Sequence, residues 1–175
     1  ALVARSARAD VALLLPSADA TLYAPTTSGN TNANGAGAYL FVGKTADNEP
    51  RRAVLRFDFS ALPPGAVVTG ATLTLTQSRG RGGSETITLH RVTRAWSEGM
   101  SNAGEPGGMG TAPMPGDATW LHASFNTQFW TTPGGDFVGT PSASALVPNT
   151  DGPHAWSAPG MAADIVGWLA DPATN

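Results

Sequence analysis

The sequence predicts an all-β fold, an antiparallel β-sandwich with long loops and one short C-terminal helix. Apolar and polar residues alternate over several short segments, which is the pattern of strands that bury one face. Turn-forming residues separate these segments, since the 175-residue chain contains 21 Gly and 14 Pro. A chain of this length suits one sizeable core. We therefore expect a single domain over residues 10–175, preceded by a flexible arm at residues 1–9.

Five strands are predicted before residue 95. A continuous apolar run at residues 11–15 predicts a strand buried on both faces. Residues 39–42, which follow a polar loop, predict a second strand. Regular alternation predicts three more, at residues 51–59, 71–76 and 86–92. In the first of these three, we expect Ala53 and Leu55 to face the core and Val54 to lie on the opposite, mostly polar face.

The rest of the chain combines long irregular segments with one helix. Residues 99–117 and 131–153 are rich in Gly and Pro, and a loop as long as the first is usually functional or disordered. Residues 155–158 predict a short strand. Residues 161–170 predict a helix, because Met, Ile, Trp and Leu recur there at spacings of three and four before an Asp-Pro pair ends the pattern.

Composition and charge exclude several classes of protein. A net charge of −3 without a basic stripe disfavours nucleic acid as a partner. No apolar run approaches the roughly 20 residues that span a bilayer. The absence of Cys removes disulfides and thiolate chemistry. The surface must be rich in Thr, Ser, Asn and Gly, because only 13% of residues are charged. A chain that begins at Ala1 is also compatible with removal of a signal peptide. We therefore expect a secreted, extracellular or cell-surface protein.

Six segments occur in an order and spacing that resemble a known family. They are RAVLRFD at 52–58, LPPGA at 62–66, ATLTL at 71–75, LHRVTRAWSEG at 89–99, GDATWL at 116–121 and FWTTPGGDF at 129–137. Together they resemble the DNRLRE domain family, a group of bacterial exported β-sandwich modules that overlaps with a family of carbohydrate-binding modules. The resemblance covers most of the chain from about Asp19 onward.

The resemblance implies a jelly-roll-like sandwich that has no catalytic activity and binds polysaccharide at a cell surface or beside an enzyme. Members of the family continue past a helix like that at 161–170 into further strands, so the closing strands are expected to be absent from this chain. They could be held as a second chain, lie outside the sequence, or be supplied by a neighbouring subunit. In the last case residues 1–15 are the expected donor by strand exchange, and the protein is instead a structural subunit of an extracellular assembly or filament.

Aromatic residues beside the loops are the candidates for a ligand face. Sugar rings stack on exposed aromatic side chains, and Trp and Tyr also carry a polar group. Trp120, Trp130 and Tyr39 adjoin irregular segments, and Asp136 lies in the turn that follows Trp130. We assign these four residues as ligand-binding candidates, with packing in the core as the alternative for each ring.

No catalytic residues are assigned. The three His lie in separate segments without metal-ligand spacing, and no Gly-x-Ser-x-Gly sequence is present. Glu98, Asp117 and Asp136 could converge to hydrolyse a glycoside, which requires two carboxyl groups at a defined separation. The preferred interpretation is that Glu98 and Asp117 order the backbone of the loops.

Calcium is the remaining ligand considered. Hard cations bind several carboxylate and carbonyl oxygens, and Asp47, Asn48 and Glu49 with Asp10 or Asp19 could supply them. No EF-hand spacing is present. We therefore expect no cofactor, leave a structural calcium ion open, and assign no metal ligands.

Overall fold

The computed structural model describes residues 10–25, 31–63 and 65–172. The arm expected at residues 1–9 lies outside these ranges. Within them the strands are β1 (Pro16–Tyr23), β2 (Gly43–Lys44), β3 (Pro50–Phe57), β4 (Leu73–Gln77), β5 (Glu85–Leu89), β6 (His122–Ser124), β7 (Gln128–Phe129), β8 (Ala143–Val147) and β9 (Gly152–Trp156), followed by helix α1 (Pro159–Ala170). The predicted all-β, sandwich-like fold is confirmed.

All strand pairs are antiparallel. The largest sheet has the order β1-β3-β2, and its main ladder runs from Pro16 opposite Phe57 to Tyr23 opposite Arg51. The remaining strands form the pairs β4-β9, β5-β8 and β6-β7. The jelly-roll order of strands stays a prediction.

The hydrophobic core lies between the β1-β3 sheet and the loops that cover it. Its buried residues come from β1, β3, the β6-β7 hairpin and the segments beside that hairpin, and they are Ala20, Leu22, Val54, Ala118, Ala123 and Trp130. Burial of one side chain of Leu or Trp size stabilises a fold by about 1.5–3 kcal/mol. The packing of these residues therefore fixes the loops that carry the candidate site.

A buried carboxylate joins the two ends of the long loop at residues 99–117. Asp117 is fully buried, and its oxygens accept hydrogen bonds from the backbone N–H groups of Met100, Ser101 and Met114 at 2.8, 3.1 and 2.6 Å. The hydroxyl of Tyr23 also donates to the carbonyl of Gly107 at 2.9 Å. Backbone hydrogen bonds between Ala33 and Thr111 and from Ala36 to Ser101 also join the loop to the segment that precedes β2.

Two predicted strands are wrong. Residues 11–15 are not a strand, and Val11, Leu13 and Leu15 are 96%, 89% and 79% exposed. The reason is that Pro16 already pairs with Phe57, the last residue of β3, so the preceding residues have no strand opposite them. Residues 39–42 are also irregular, and the strand of that region is the two-residue β2.

The predicted burial of β3 is corrected as well. Val54, expected on the polar face, is 7% exposed and belongs to the core. Arg52 and Arg56 are accommodated on the same side because their guanidinium groups lie over the rings of Trp120 and Trp96. Cation–π stacking thus lets two charged residues occupy the face that packs against the loops.

The other predicted elements differ mainly at their ends. Strands β4 and β5 and the helix α1 are confirmed, while β9 begins three residues before the predicted segment 155–158. Strand β8 lies inside the segment 131–153 that was predicted as irregular. Apolar and polar residues do not alternate along it, because Leu146 lies on its exposed face.

Candidate functional site

The turn at residues 131–137 folds around the carboxylate of Asp136. The backbone N–H groups of Thr131 and Thr132 each donate to this carboxylate at 2.9 Å, and Nε of Arg94 donates at 2.6 Å. Burial alone would raise the pKa of Asp136, but these hydrogen bonds lower it to about 2. The carboxylate is therefore ionised at neutral pH and held in one orientation.

Arg94 is fixed by two neighbours. Besides its bond to Asp136, it donates from Nη2 to the hydroxyl of Thr131 at 2.8 Å. Its Nη1 group has no hydrogen-bond partner within the residues that the structure describes. The side chain is 34% exposed, so the site presents an oriented, solvent-accessible donor beside a fixed anion.

A shallow, open depression of about 510 Å³ lies over this ion pair. Its lining combines hydroxyl, charged and aromatic groups, and consists of Thr93, Arg94, Thr131, Thr132, Gly135, Asp136 and Phe137. The ring of Phe137 is 39% exposed and forms the apolar part of this lining. An open surface with one aromatic ring and several oriented polar groups suits a ligand that presents both C–H and hydroxyl groups.

Arg52 joins this depression to Trp120. Its guanidinium carbon lies 5.0 Å from the ring centroid of Trp120 and 5.1 Å from that of Phe137, and Nη1 donates to the carbonyl of Gly134 at 2.7 Å. Gly134 has a φ of +91°, and a Cβ there would lie 2.8 Å from Trp120 and 2.7 Å from Arg52. Glycine is therefore favoured here by both the conformation of the turn and the closeness of the stacked side chains.

Residues 11–102 match the family model of carbohydrate-binding module family 96. The chain belongs to this family. No curated protein and no solved structure matches it. The match includes Arg94 of the depression and Arg52 beside it, whereas Trp120, Asp136 and Phe137 lie beyond the matched residues. The resemblance to the DNRLRE domain family stays a prediction.

The structure brings two of the four sequence-predicted site residues of this family 96 module together. Asp136 lines the depression, and Trp120 is connected to it through Arg52. Tyr39 is 42% exposed on the loop before β2 and does not line the depression. The placement of Trp130 is corrected, because it is 5% exposed in the core and its indole N–H donates to the carbonyl of Thr119.

Sequence reasoning missed Arg52, Arg94 and Phe137. All three fall within the six segments that carry the family resemblance, but nothing in their local pattern separates them from surface residues. Arg52 in particular lies on the strand face that alternation marks as polar. Its contact with two aromatic rings arises from the tertiary fold.

The other carboxylates of the family 96 module order backbone, as the sequence analysis preferred. Asp117 accepts three backbone hydrogen bonds inside the 99–117 loop, and Oε1 of Glu98 accepts one from the N–H of Asp19 at 2.8 Å. Neither lines the depression that contains Asp136. The three carboxylates considered for glycoside hydrolysis therefore do not share a site.

Two negative findings complete the description of the module. In the described part of the chain, no three His, Asp or Glu side chains lie close enough together to hold a metal ion. Over the same residues, none of the helical structure is long and apolar enough to span a bilayer.

Proposed function

We propose that this family 96 module is an exported, non-catalytic domain that binds polysaccharide in the depression beside Asp136. The observation that carries the proposal is the fixed pair of Arg94 and Asp136 next to the exposed ring of Phe137. Binding to a polysaccharide at a cell surface, or beside an enzyme that acts on one, is the role that fits a domain of this kind.

The chemistry of the depression fits a pyranose ring. One face of such a sugar presents C–H groups, which stack on an aromatic ring such as Phe137. Its hydroxyl groups can donate to Asp136 and accept from Arg94, and hydrogen bonds to charged groups are about twice as strong as neutral ones. Because the depression is open, a long polymer can cross it without threading into a closed cavity.

The same geometry supports the absence of catalysis. A glycosidase needs two facing carboxyl groups, one protonated and one ionised, and neither Glu98 nor Asp117 lines the depression beside Asp136. The pKa of Asp136 is lowered to about 2, and both of its oxygens already accept hydrogen bonds. The carboxylate therefore acts as a fixed hydrogen-bond acceptor.

Export is proposed from composition. A chain with few charged residues, no Cys and many Thr, Asn and Gly residues is typical of exported β-sandwich modules. A polysaccharide partner outside the cell agrees with this composition and with the family. A structural calcium ion stays an expectation without assigned ligands.

The test compares two aromatic side chains of similar exposure. Phe137→Ala removes the ring of the depression, and Tyr39→Ala removes a ring outside it, at 39% and 42% exposure respectively. Affinity electrophoresis against a panel of neutral and uronate-bearing polysaccharides should show retarded migration of the wild type. We expect Phe137→Ala to lose most of this retardation and Tyr39→Ala to keep it. Equal retention of both variants would contradict a site at the depression.

A second candidate function is a structural subunit completed by its neighbours. Val11, Leu13 and Leu15 belong to a continuous apolar run, and their side chains are mostly exposed, which is unfavourable in water. Strands β4 and β5 and helix α1 contain no buried residue. A chain that carries both a free strand-like segment and an incompletely covered layer can associate with a second copy by strand addition.

The indole of Trp168 also supports association through this incompletely covered layer. Within the described residues its buried N–H has no acceptor, although the ring stacks on Phe59 at a centroid distance of 5.6 Å. A buried N–H without an acceptor agrees with the incomplete packing of this layer. The donor segment 1–15 was predicted from the sequence, and of it only residues 10–15 are described.

Light scattering at rising protein concentration tests this second function. If the exposed run joins neighbours, the wild type should form dimers or polymers, and a Val11→Ser/Leu13→Ser double variant should stay monomeric. Val67→Ser is the control, because Val67 is also exposed, at 86%, and lies outside the run. A monomeric wild type at all concentrations would exclude the structural role.

A further inference from the structure

The β6-β7 hairpin carries an aromatic ring that the depression does not use. Phe129 is 65% exposed although it is a large apolar residue. Its ring lies against the imidazole of His122, with centroids 4.1 Å apart and an angle of 34° between the planes. One face of Phe129 is therefore covered by His122, and the remaining surface of the ring is available to a ligand.

His122 is held firmly behind this ring. It is 9% exposed, and Phe125 packs its ring against the imidazole at a centroid distance of 5.0 Å. The hydroxyl oxygen of Thr119 accepts from the N–H groups of Leu121 and His122, so its own hydrogen is free to donate to Nδ1 of His122 at 3.1 Å. Burial lowers the pKa of His122, which favours the neutral imidazole.

The same hairpin also carries exposed polar groups. Asn126, with a φ of 67°, and Gln128 are exposed, and their side-chain amides make no hydrogen bond within the described residues. Amide groups can both donate to and accept from sugar hydroxyls. An exposed, supported aromatic ring on a hairpin that also carries free amides has the composition of a sugar-binding surface.

This ring lies next to the depression along the chain. Phe129 and Thr131 are separated by Trp130 alone, so their Cα atoms are at most about 7 Å apart. Trp130 is buried while both of its neighbours are exposed, so Phe129 and Thr131 are presented to solvent on either side of one anchored residue. A polymer bound over Thr131 can therefore extend onto Phe129.

We propose that the exposed ring of Phe129 forms a second sugar-contact surface that selects for long oligosaccharides. The surface binds the C–H face of a pyranose unit adjoining the units in the depression. The inference rests on the proposed function, because it assigns a second part of the same polysaccharide to this hairpin. Two linked contacts raise affinity only for ligands long enough to reach both.

Calorimetry with oligosaccharides of increasing length tests the proposal. The probes are cello-oligosaccharides and oligogalacturonates of two to six sugars, titrated into the wild type, Phe129→Ala and Phe137→Ala. Loss of one aromatic contact should weaken binding of the six-sugar probe about tenfold in Phe129→Ala and leave the two-sugar probe within about twofold. Phe137→Ala should weaken both lengths.

The possible outcomes separate this inference from the proposed function. Suppose that Phe137→Ala weakens binding, while Phe129→Ala leaves the affinity for both probe lengths unchanged or lowers both equally. The second surface is then wrong and the depression stands. If Phe129→Ala alone has the length-dependent effect, the second surface stands and the depression is wrong. Binding of neither series by the wild type overturns both.

Two controls exclude an effect through the fold. Phe129→Tyr keeps the aromatic face and should restore long-probe affinity to within about twofold of the wild type. Melting temperatures should be the same for all the Phe129 variants, because this ring is mostly exposed. A matching fall in melting temperature and affinity for Phe129→Ala, without recovery in Phe129→Tyr, would mean that the ring acts only structurally.

Discussion

The sheet containing β1 and β3 and the layer formed by β4, β5, β8, β9 and α1 differ sharply in packing. The first contributes the buried core, including Leu22 at 1% exposure and Val54 at 7%. In the second, Ala143 and Trp156 are the buried residues of β8 and β9, and the other three elements have none. Regular secondary structure is present in both regions, but the packing that stabilises it is concentrated in the first.

The candidate site lies on the well-packed side. Trp130 anchors the chain between Phe129 and Thr131, and Arg52 extends from β3 to the rings of Trp120 and Phe137. A binding surface needs side chains held in one geometry, and rigid supporting elements provide it. The proposed binding site and most of the stabilising packing therefore lie in the same half of the molecule.

The largest expected effect comes from replacing one tryptophan in each region with alanine. Trp130→Ala should lower the free energy of unfolding by about 3–5 kcal/mol, because it leaves a cavity in the core. Trp168→Ala should lower it by less than half as much, since the helix that carries Trp168 has no buried residue. Urea unfolding of both variants measures the difference. Equal losses would show that the two regions are packed equally well.

The next effect concerns the loop at residues 99–117. Asp117→Ala removes the acceptor of three backbone N–H groups and should lower the free energy of unfolding by about 3 kcal/mol. It should also make this loop sensitive to limited proteolysis. Asp151→Ala, which changes an exposed carboxylate, is the control. An Asp117→Ala variant as resistant as the control would mean that the loop is ordered by other contacts.

These regions also differ in what sequence alone could predict. Alternation predicted β4 and β5, and helical spacing predicted α1, because both signals depend on near neighbours in the chain. Residues 11–15 looked like a buried strand, but whether an apolar run forms a strand depends on a partner, and β3 ends at Phe57. The burial of Val54 likewise depends on Arg side chains that stack on distant rings.

The candidate site was predicted only in part for the same reason. Asp136 and Trp120 could be proposed because they adjoin turns in segments that resemble a family of sugar-binding modules. Trp130 adjoins the same turn, yet its ring points inward, since one of two consecutive aromatic residues must face the core when the other faces solvent. Arg52 and Phe137 acquire their roles from contacts across the fold, which no local pattern reports.

A smaller effect should follow from Gly134→Ala. The substitution combines an unfavourable φ with close contacts to Trp120 and Arg52, so we expect a loss of about 1–3 kcal/mol in the free energy of unfolding. Polysaccharide binding should also fall, because the Arg52 stack must move. Gly82→Ala is the matched control, as Gly82 has a φ of +94° and no neighbour within 4 Å. Equal losses would mean that backbone conformation alone, and not the fit to the stack, requires glycine at position 134.

The smallest effect is a dependence of stability on acidic pH through Asp136. Its pKa is about 2 in the folded protein and 3.8 in an unfolded chain, so the unfolded state takes up the proton first as the pH falls. The stabilisation from this carboxylate is therefore complete above pH 3.8 and is lost between pH 3.8 and about 2. Asp136→Asn should remove this part of the pH dependence of the melting temperature, while Asp151→Asn should leave it unchanged. Because the same hydrogen bonds hold the carboxylate for a sugar, polysaccharide affinity should persist down to pH 4. If the melting temperature of the wild type varied with pH in the same way as that of Asp136→Asn, the turn would not hold the ionised carboxylate.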